Sequence, residues 1–201
     1  MNDKIAIVSS RRALRVAAAA ALAALALGGC AAVVVGGAAV GTAMVVTDRR
    51  TAGVQLEDQN IELKSLTRIR ETVGERGHVN ATSYNRMVLL TGEVPSEADR
   101  SALEQSITKI ENVRSTVNEL AVMGPSSMTA RSNDTILTSK VKASFIDAKD
   151  LHANAVKVVT ERGVVYLLGR VTEREANRAT ELARGVQRPV RVAQLLAAHE
   201  H

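Results

Sequence analysis

The stretch HVNATSYNRMVLLTGEV, residues 78–94, returns without a gap as AVKVVTERGVVYLLGRV, residues 155–171. Position 155 answers position 78, an offset of 77 residues, and a fixed internal period is read before any other feature of a chain. Each copy holds two β-rich runs around a polar break, Tyr84-Asn85-Arg86 in the first and Glu161-Arg162-Gly163 in the second. Asn and Gly tolerate positive φ, so both breaks predict tight hairpins. Gly92 and Gly169 fall late in the second run of each copy, where a bend or a close backbone approach is expected.

Working outward, each hairpin is flanked by helical periodicity. Upstream of the first, Leu63, Leu66, Ile69 and Val73 are expected to share one face; upstream of the second, Leu137, Val141, Ser144, Phe145 and Ala148 do the same. Downstream, Pro95-Ser96-Glu97 and Thr172-Glu173-Arg174-Glu175 read as helix starts with acids near the positive end of the dipole. An alternating apolar run closes each unit, around 113–122 and 190–196. The order is α-β-β-α-β twice: an α+β chain of two tandem αββαβ sandwich domains, residues 48–123 and 132–198, with a turn-rich linker at 124–131. Each three-stranded sheet is expected to cover one face with helices and to turn its polar alternates to water. The copies diverge at their ends. Val94 to Val117 spans 23 residues but Val171 to Val190 only 19, which predicts the loss of about one helical turn before the last strand. Pro189 cannot donate to a ladder, so that strand is expected at an edge.

The amino-terminal segment is written differently. Lys4, Arg11, Arg12 and Arg15 precede an uncharged run, and Leu27-Gly28-Gly29-Cys30 ends it with the chain's one cysteine. A charged leader, an apolar core and small residues before a thiol form the pattern of a bacterial lipoprotein precursor, with residues 1–29 as signal peptide. The thiolate of Cys30 is the nucleophile that takes a diacylglyceryl group, and residues 30–47 become a lipidated apolar tether. An uncut transmembrane anchor is the competing expectation, because residues 16–46 carry no charge and exceed the ~20 residues a helix needs to span a bilayer. No cofactor is expected beyond the covalent lipid on Cys30.

Composition excludes several classes. The formal net charge of +5 owes much to the leader: removing its four basic residues and Asp3 from 26 basic and 21 acidic leaves 22 against 20. With two Tyr, one Phe and no Trp there is no stacking platform for single strands, so no nucleic-acid partner is expected. A lone cysteine forms no intrachain disulfide, and stability must come from aliphatic burial. His78, His152, His199 and His201 assemble no metal-ligand spacing, and neither a Ser/His/Asp set nor a carboxylate pair stands out from surface charge. The chain reads as a non-enzyme.

The duplicated unit resembles the BON domain of bacterial envelope proteins. The resemblance is carried by VLLTGEV at 88–94, SNDTILTSKVK at 132–142, VKVVTE at 156–161 and above all VYLLGRVTEREA at 165–176. It implies a dual-BON lipoprotein of the outer membrane, facing the periplasm, that binds anionic phospholipid through its second domain and supports envelope integrity. Ala31 rather than Asp after the cysteine is similar to lipoproteins exported to the outer membrane. Ile136 stands where the resemblance calls for a tryptophan, so weaker interfacial anchoring is expected.

Charge agrees with that direction. Residues 30–130 hold 10 basic and 12 acidic side chains, whereas residues 131–201 hold 12 basic and 8 acidic. An anionic surface therefore attracts the second unit, by about 1 kcal/mol per basic residue near the membrane. With Leu137 at the centre of the helix's inner stripe, Lys142, Ile146 and Lys149 project roughly 120–180° away, with Phe145 at the border. The phospholipid-contact set is expected to be Ile136, Lys140, Lys142, Phe145, Ile146 and Lys149, lysine stems lying along acyl chains while their ammonium groups reach phosphate. The alternative is a tethered adaptor that holds an envelope protein partner, of an assembly or division complex, by an exposed sheet edge.

Overall fold

In the computed structural model the chain divides into two units at Val46/Thr47, of which the second is described here. The structure describes residues 48–186 and the backbone of 191–198. The expectations for the leader, Cys30, the tether, Pro189 and the terminal histidines lie outside the described residues. Every element below belongs to the second unit, which holds the three hydrophobic cores found among the described residues.

The first repeat runs α1 (Ala52–Thr72), β1 (His78–Tyr84), β2 (Met87–Val94), α2 (Glu97–Thr108) and β3 (Ser115–Val122). The second runs α3 (Met128–Asp147), β4 (Val156–Glu161), β5 (Val164–Val171), α4 (Glu173–Val186) and β6 (Arg191–Ala198). In both sheets the second strand is central, antiparallel to the strand before it and parallel to the closing strand. The α-β-β-α-β order is as the repeat predicts. α3 begins at Met128, inside the segment read as linker, because Ser127 accepts from the Ala130 N–H and caps it there.

Both hairpins close over two residues with positive φ, Asn85 (52°) and Arg86 (65°), then Arg162 (53°) and Gly163 (70°). Three of these are not glycine, so something must hold them. Asp58 on α1 accepts from the backbone N–H of Asn85 (2.8 Å) and Arg86 (2.7 Å); Asp134 on α3 accepts from those of Arg162 and Gly163 (2.8 Å each). Each repeat thus ties its hairpin turn to its first helix through one carboxylate. At Gly92, φ is 112° and a Cβ would collide with the His78 carbonyl, so the close approach expected there is real.

Two readings of the sequence are corrected inside the helices. On α1 the buried stripe is Asp58, Ile61, Ser65 and Ile69, while Leu63 and Leu66 face outward with Leu56. Apolar counting missed the stripe because two of its members are polar. Asp58 is satisfied by the turn, and the Ser65 hydroxyl donates to the Ile61 carbonyl at 2.7 Å. On α3 the inner stripe is Leu137, Val141 and Phe145, with Ser144 and Ala148 half-buried. The lost turn is also corrected. Met87 pairs with Ser115 and Val164 with Arg191, so the second unit is one residue shorter by register. Its helix, at 14 residues against 12, is not the part that shrank.

The larger correction concerns the second face of each sheet. Val88, Leu90 and Val94 pack under α1 and α2, and Val165, Leu167 and Val171 under α3 and α4. Their neighbours of opposite pleat do not meet water. Tyr84, Leu89, Tyr166 and Leu168 form a third core from both sheets, flanked by Met87, Val117, Val159 and Val164. The domains therefore pack sheet to sheet, in four layers ordered helices, sheet, sheet, helices. The runs Val88-Leu89-Leu90 and Tyr166-Leu167-Leu168 are apolar at successive positions, as strands buried on both faces must be.

Candidate functional site

Polar groups fasten the two sheets at their rims. Tyr84 and Glu161 occupy the same place in the two repeats, and each crosses to the other domain. The Tyr84 hydroxyl accepts from the Arg170 N–H (3.2 Å) and donates to the Ala155 carbonyl (3.5 Å). Glu161 accepts from the Asn80 carboxamide (2.9 Å), and burial raises its pKa above the usual carboxylate range. Lys157 reaches Glu62 at 2.9 Å. Residues 49 and 50, where the chain enters the domains, complete the fastening. Arg49 pairs bidentately with Glu175 (2.7 and 2.8 Å) and donates to the Arg170 carbonyl. Arg50 pairs with Asp48 and Asp58 and lies 4.1 Å over the Tyr84 ring. No periodicity announces this clasp; in the sequence the arginines look like a boundary.

With both inner sheet faces closed, the outward side of the helices and the edge strands β1, β3, β4 and β6 are left outside that interface. α3 spans 20 residues, about 30 Å. On the side opposite its core lie Lys142 and Ile146, one turn apart, and Ile146 is 73% exposed. Ile136 (53% exposed) and Lys140 are also one turn apart, but lie roughly 80° or more further round the helix. Lys149 follows the end of the helix and is exposed. Among the described residues no ion pair or hydrogen bond engages the ammonium of Lys140, Lys142 or Lys149. Five of the expected contact residues are exposed, but on two flanks of α3: Lys142, Ile146 and the trailing Lys149 on one, Ile136 and Lys140 on the other, with Lys140 and Lys142 about 160° apart.

Phe145 is the exception and is corrected. It is 1% exposed, packed with Leu137, Val141 and Ala179, and has no access to a membrane. It follows Val141 by four residues, which returns it to the core stripe rather than to the border. Among the described residues no group of three His, Cys, Asp or Glu side chains is placed to hold a metal ion, and no helix is long and apolar enough to cross a membrane.

The family model of the BON domain matches residues 57–124 and 133–197, and the chain belongs to the BON-domain family. It is 38% identical over 160 residues to the outer membrane lipoprotein DolP of Haemophilus influenzae, covering 77% of this chain and 82% of that one. It is 28% identical over 142 residues to the 21 kDa hemolysin of Actinobacillus pleuropneumoniae, covering 70% and 73%. Among solved structures, CdsD, a structural protein of the type III secretion system of Chlamydia trachomatis, matches at 12% identity and a TM-score of 0.27. That match covers 67% of this chain and 93% of CdsD.

Proposed function

We propose that this protein is a non-enzymatic outer-membrane lipoprotein, acylated at Cys30, whose second BON domain docks on anionic phospholipid through α3 and so supports the envelope. The observation that carries the reading is the outward arc of α3: Ile146 stands 73% exposed one turn from Lys142, and no acid among the described residues pairs with either lysine flank. An exposed isoleucine between cations whose stems are apolar suits the boundary between headgroup and acyl chain. The name of the Haemophilus influenzae relative supports the compartment, and the basic excess of residues 131–201 supports the sign of the surface.

Flotation of the body from Thr47 onward tests it. Vesicles rich in phosphatidylglycerol or cardiolipin are expected to carry the protein upward, and phosphatidylcholine vesicles to leave it behind. The difference should shrink as added salt shortens the Debye length from about 30 Å at 0.01 M to about 8 Å at 0.15 M. Equal recovery on both vesicles, or none at low ionic strength, contradicts the reading.

A second reading, a tethered adaptor for an envelope protein, has its own observation. Leu56, Leu63 and Leu66 are exposed on the outward side of α1, in the outer layer opposite to α3. A surface docked through α3 would leave that side facing away from the bilayer.

A further inference from the structure

The two corners of the sheet-to-sheet seam are unequal. Position 161 answers position 84 in the repeat, and position 170 answers position 93. At one corner stand Tyr84 and Arg170, joined by the hydrogen bond from the Arg170 N–H to the Tyr84 hydroxyl (3.2 Å) and clasped by Arg49 and Arg50. At the other stand Glu93 and Glu161, one carboxylate from each domain, 1% and 6% exposed. Two buried acids thus occupy the places that a phenol and a cation fill at the sister corner.

Glu93 is incompletely held. One of its oxygens accepts from the Ser126 N–H at 3.1 Å. The other accepts no hydrogen bond among the described residues, and its ion-pair partner, Arg162 Nε, lies at 3.8 Å. Glu161 accepts from the Asn80 carboxamide (2.9 Å) and more weakly from the Thr91 hydroxyl (3.4 Å), two donors without charge. The charged and titratable groups around Glu161 come from every neighbouring element. They are Glu93 on β2, His78 on β1, Asp134 on α3, Arg162 in the turn and Tyr166 on β5, whose hydroxyl donates to Glu119 of β3. The His78 ring lies against the Asn80 carboxamide at 3.3 Å, and Asp134 accepts from turn N–H groups at both oxygens. Glu93, Glu161 and Asp134 therefore share one permanent cation, Arg162, and it is paired with Glu93.

We infer that this corner is a proton-controlled latch between the two domains: protonated Glu161 leaves the seam shut, and ionised Glu161, buried beside Glu93, drives the sheets apart. A neutral carboxyl keeps an oxygen for Asn80 and brings no charge into the seam. An ionised one is deprived of water without a cation of its own, and opening the seam returns it to solvent. Burial is the largest influence on Glu161 and raises its pKa; the Asn80 hydrogen bond and His78 oppose it, and the charges of Glu93 and Asp134 add to it. The closed seam therefore binds this proton more tightly than the open one. The stabilisation is complete below the ordinary value, near 4.5, and is lost as pH rises through the raised one. Whatever α1 and α3 dock on, the latch decides whether they are held in opposite layers.

The Arg170 N–H reports on the seam directly, because its hydrogen bond crosses from one domain to the other. In the full chain held in detergent micelles, its protection against hydrogen exchange, corrected for the intrinsic rate, is expected to fall from about pH 5 to about pH 8. Throughout that range Glu175, held down to about 2, keeps its pair with Arg49. In Glu161→Gln, which bears no charge and retains a carbonyl oxygen for Asn80, protection should stay high. The Leu90 amide, inside a single sheet, should stay protected in both proteins, which separates opening from unfolding. A carbon-13 titration of the wild-type Glu161 carboxyl fixes the size of the effect. Relative to the variant, protection should fall about tenfold for each pH unit by which that midpoint exceeds its ordinary value. An equal fall in both proteins, no fall in wild type, or a Glu161 midpoint at or below 4.5 overturns the latch.

Discussion

The Lys142→Glu/Ile146→Asp protein is expected to bind anionic vesicles roughly a hundredfold more weakly than wild type, with its melting midpoint unchanged. Reversing Lys142 removes one attraction and adds one repulsion, about 1 kcal/mol each beside an anionic surface. Replacing Ile146 removes partial apolar insertion worth at least about 1 kcal/mol. A total near 3 kcal/mol is about a hundredfold in affinity. Both side chains point away from the core, so stability should stay within about 0.5 kcal/mol. Unchanged flotation by this variant would remove α3 from the docking surface, whatever the wild type does.

The second large effect concerns the clasp. Glu175 is held down to about 2, first by the hydrogen bonds from Arg49, against a burial that opposes it, with further help from the backbone N–H and hydroxyl of Thr172. A carboxyl whose folded pKa lies below its unfolded value stabilises fully above the unfolded pKa, near 4.5. That contribution disappears as pH falls from there toward 2. Allowing for the partial exposure of Arg49, the pair is worth on the order of 2 kcal/mol. Arg49→Gln should lower stability at neutral pH by about that amount and flatten the fall in stability between pH 4.5 and 2. Glu161, raised by burial, works in the opposite sense, gaining its proton more readily in the folded state. Both proteins share Glu161, so the difference between their denaturation profiles isolates Glu175. Parallel profiles would show that Arg49 is an ornament of the surface and not a tie between domains.

Much of this architecture was legible in the repeat. Two β-rich runs around a two-residue break, doubled at a fixed offset, led directly to the strand order within each unit and to both hairpins. What stayed hidden depended on contacts between distant residues. Asp58 and Asp134 look like surface acids until the turn N–H groups they accept from are seen, and because of Asp58 apolar spacing alone points to the wrong leucines for the inner stripe of α1. The sheet-to-sheet interface had a signal, the unbroken runs 88–90 and 164–168, yet a small α+β unit considered singly gives no reason to bury both faces. On α3 helical spacing turns Lys142, Ile146 and Lys149 outward, while Phe145, one position before Ile146, belongs to the core. In the sequence Arg162 is only a turn residue; its place beside Lys140 follows from the tie of its backbone N–H to Asp134, which joins segments 28 residues apart.

The four-layer arrangement makes one measurement decisive, because α1 and α3 occupy opposite outer layers. A lipid carrying a paramagnetic headgroup, mixed into phosphatidylglycerol bicelles, broadens amides by proximity. The account predicts the strongest broadening at Lys142 and Ile146, with amides around Leu63 on α1 unaffected. Broadening centred on Leu63, or none anywhere on α3, would contradict it.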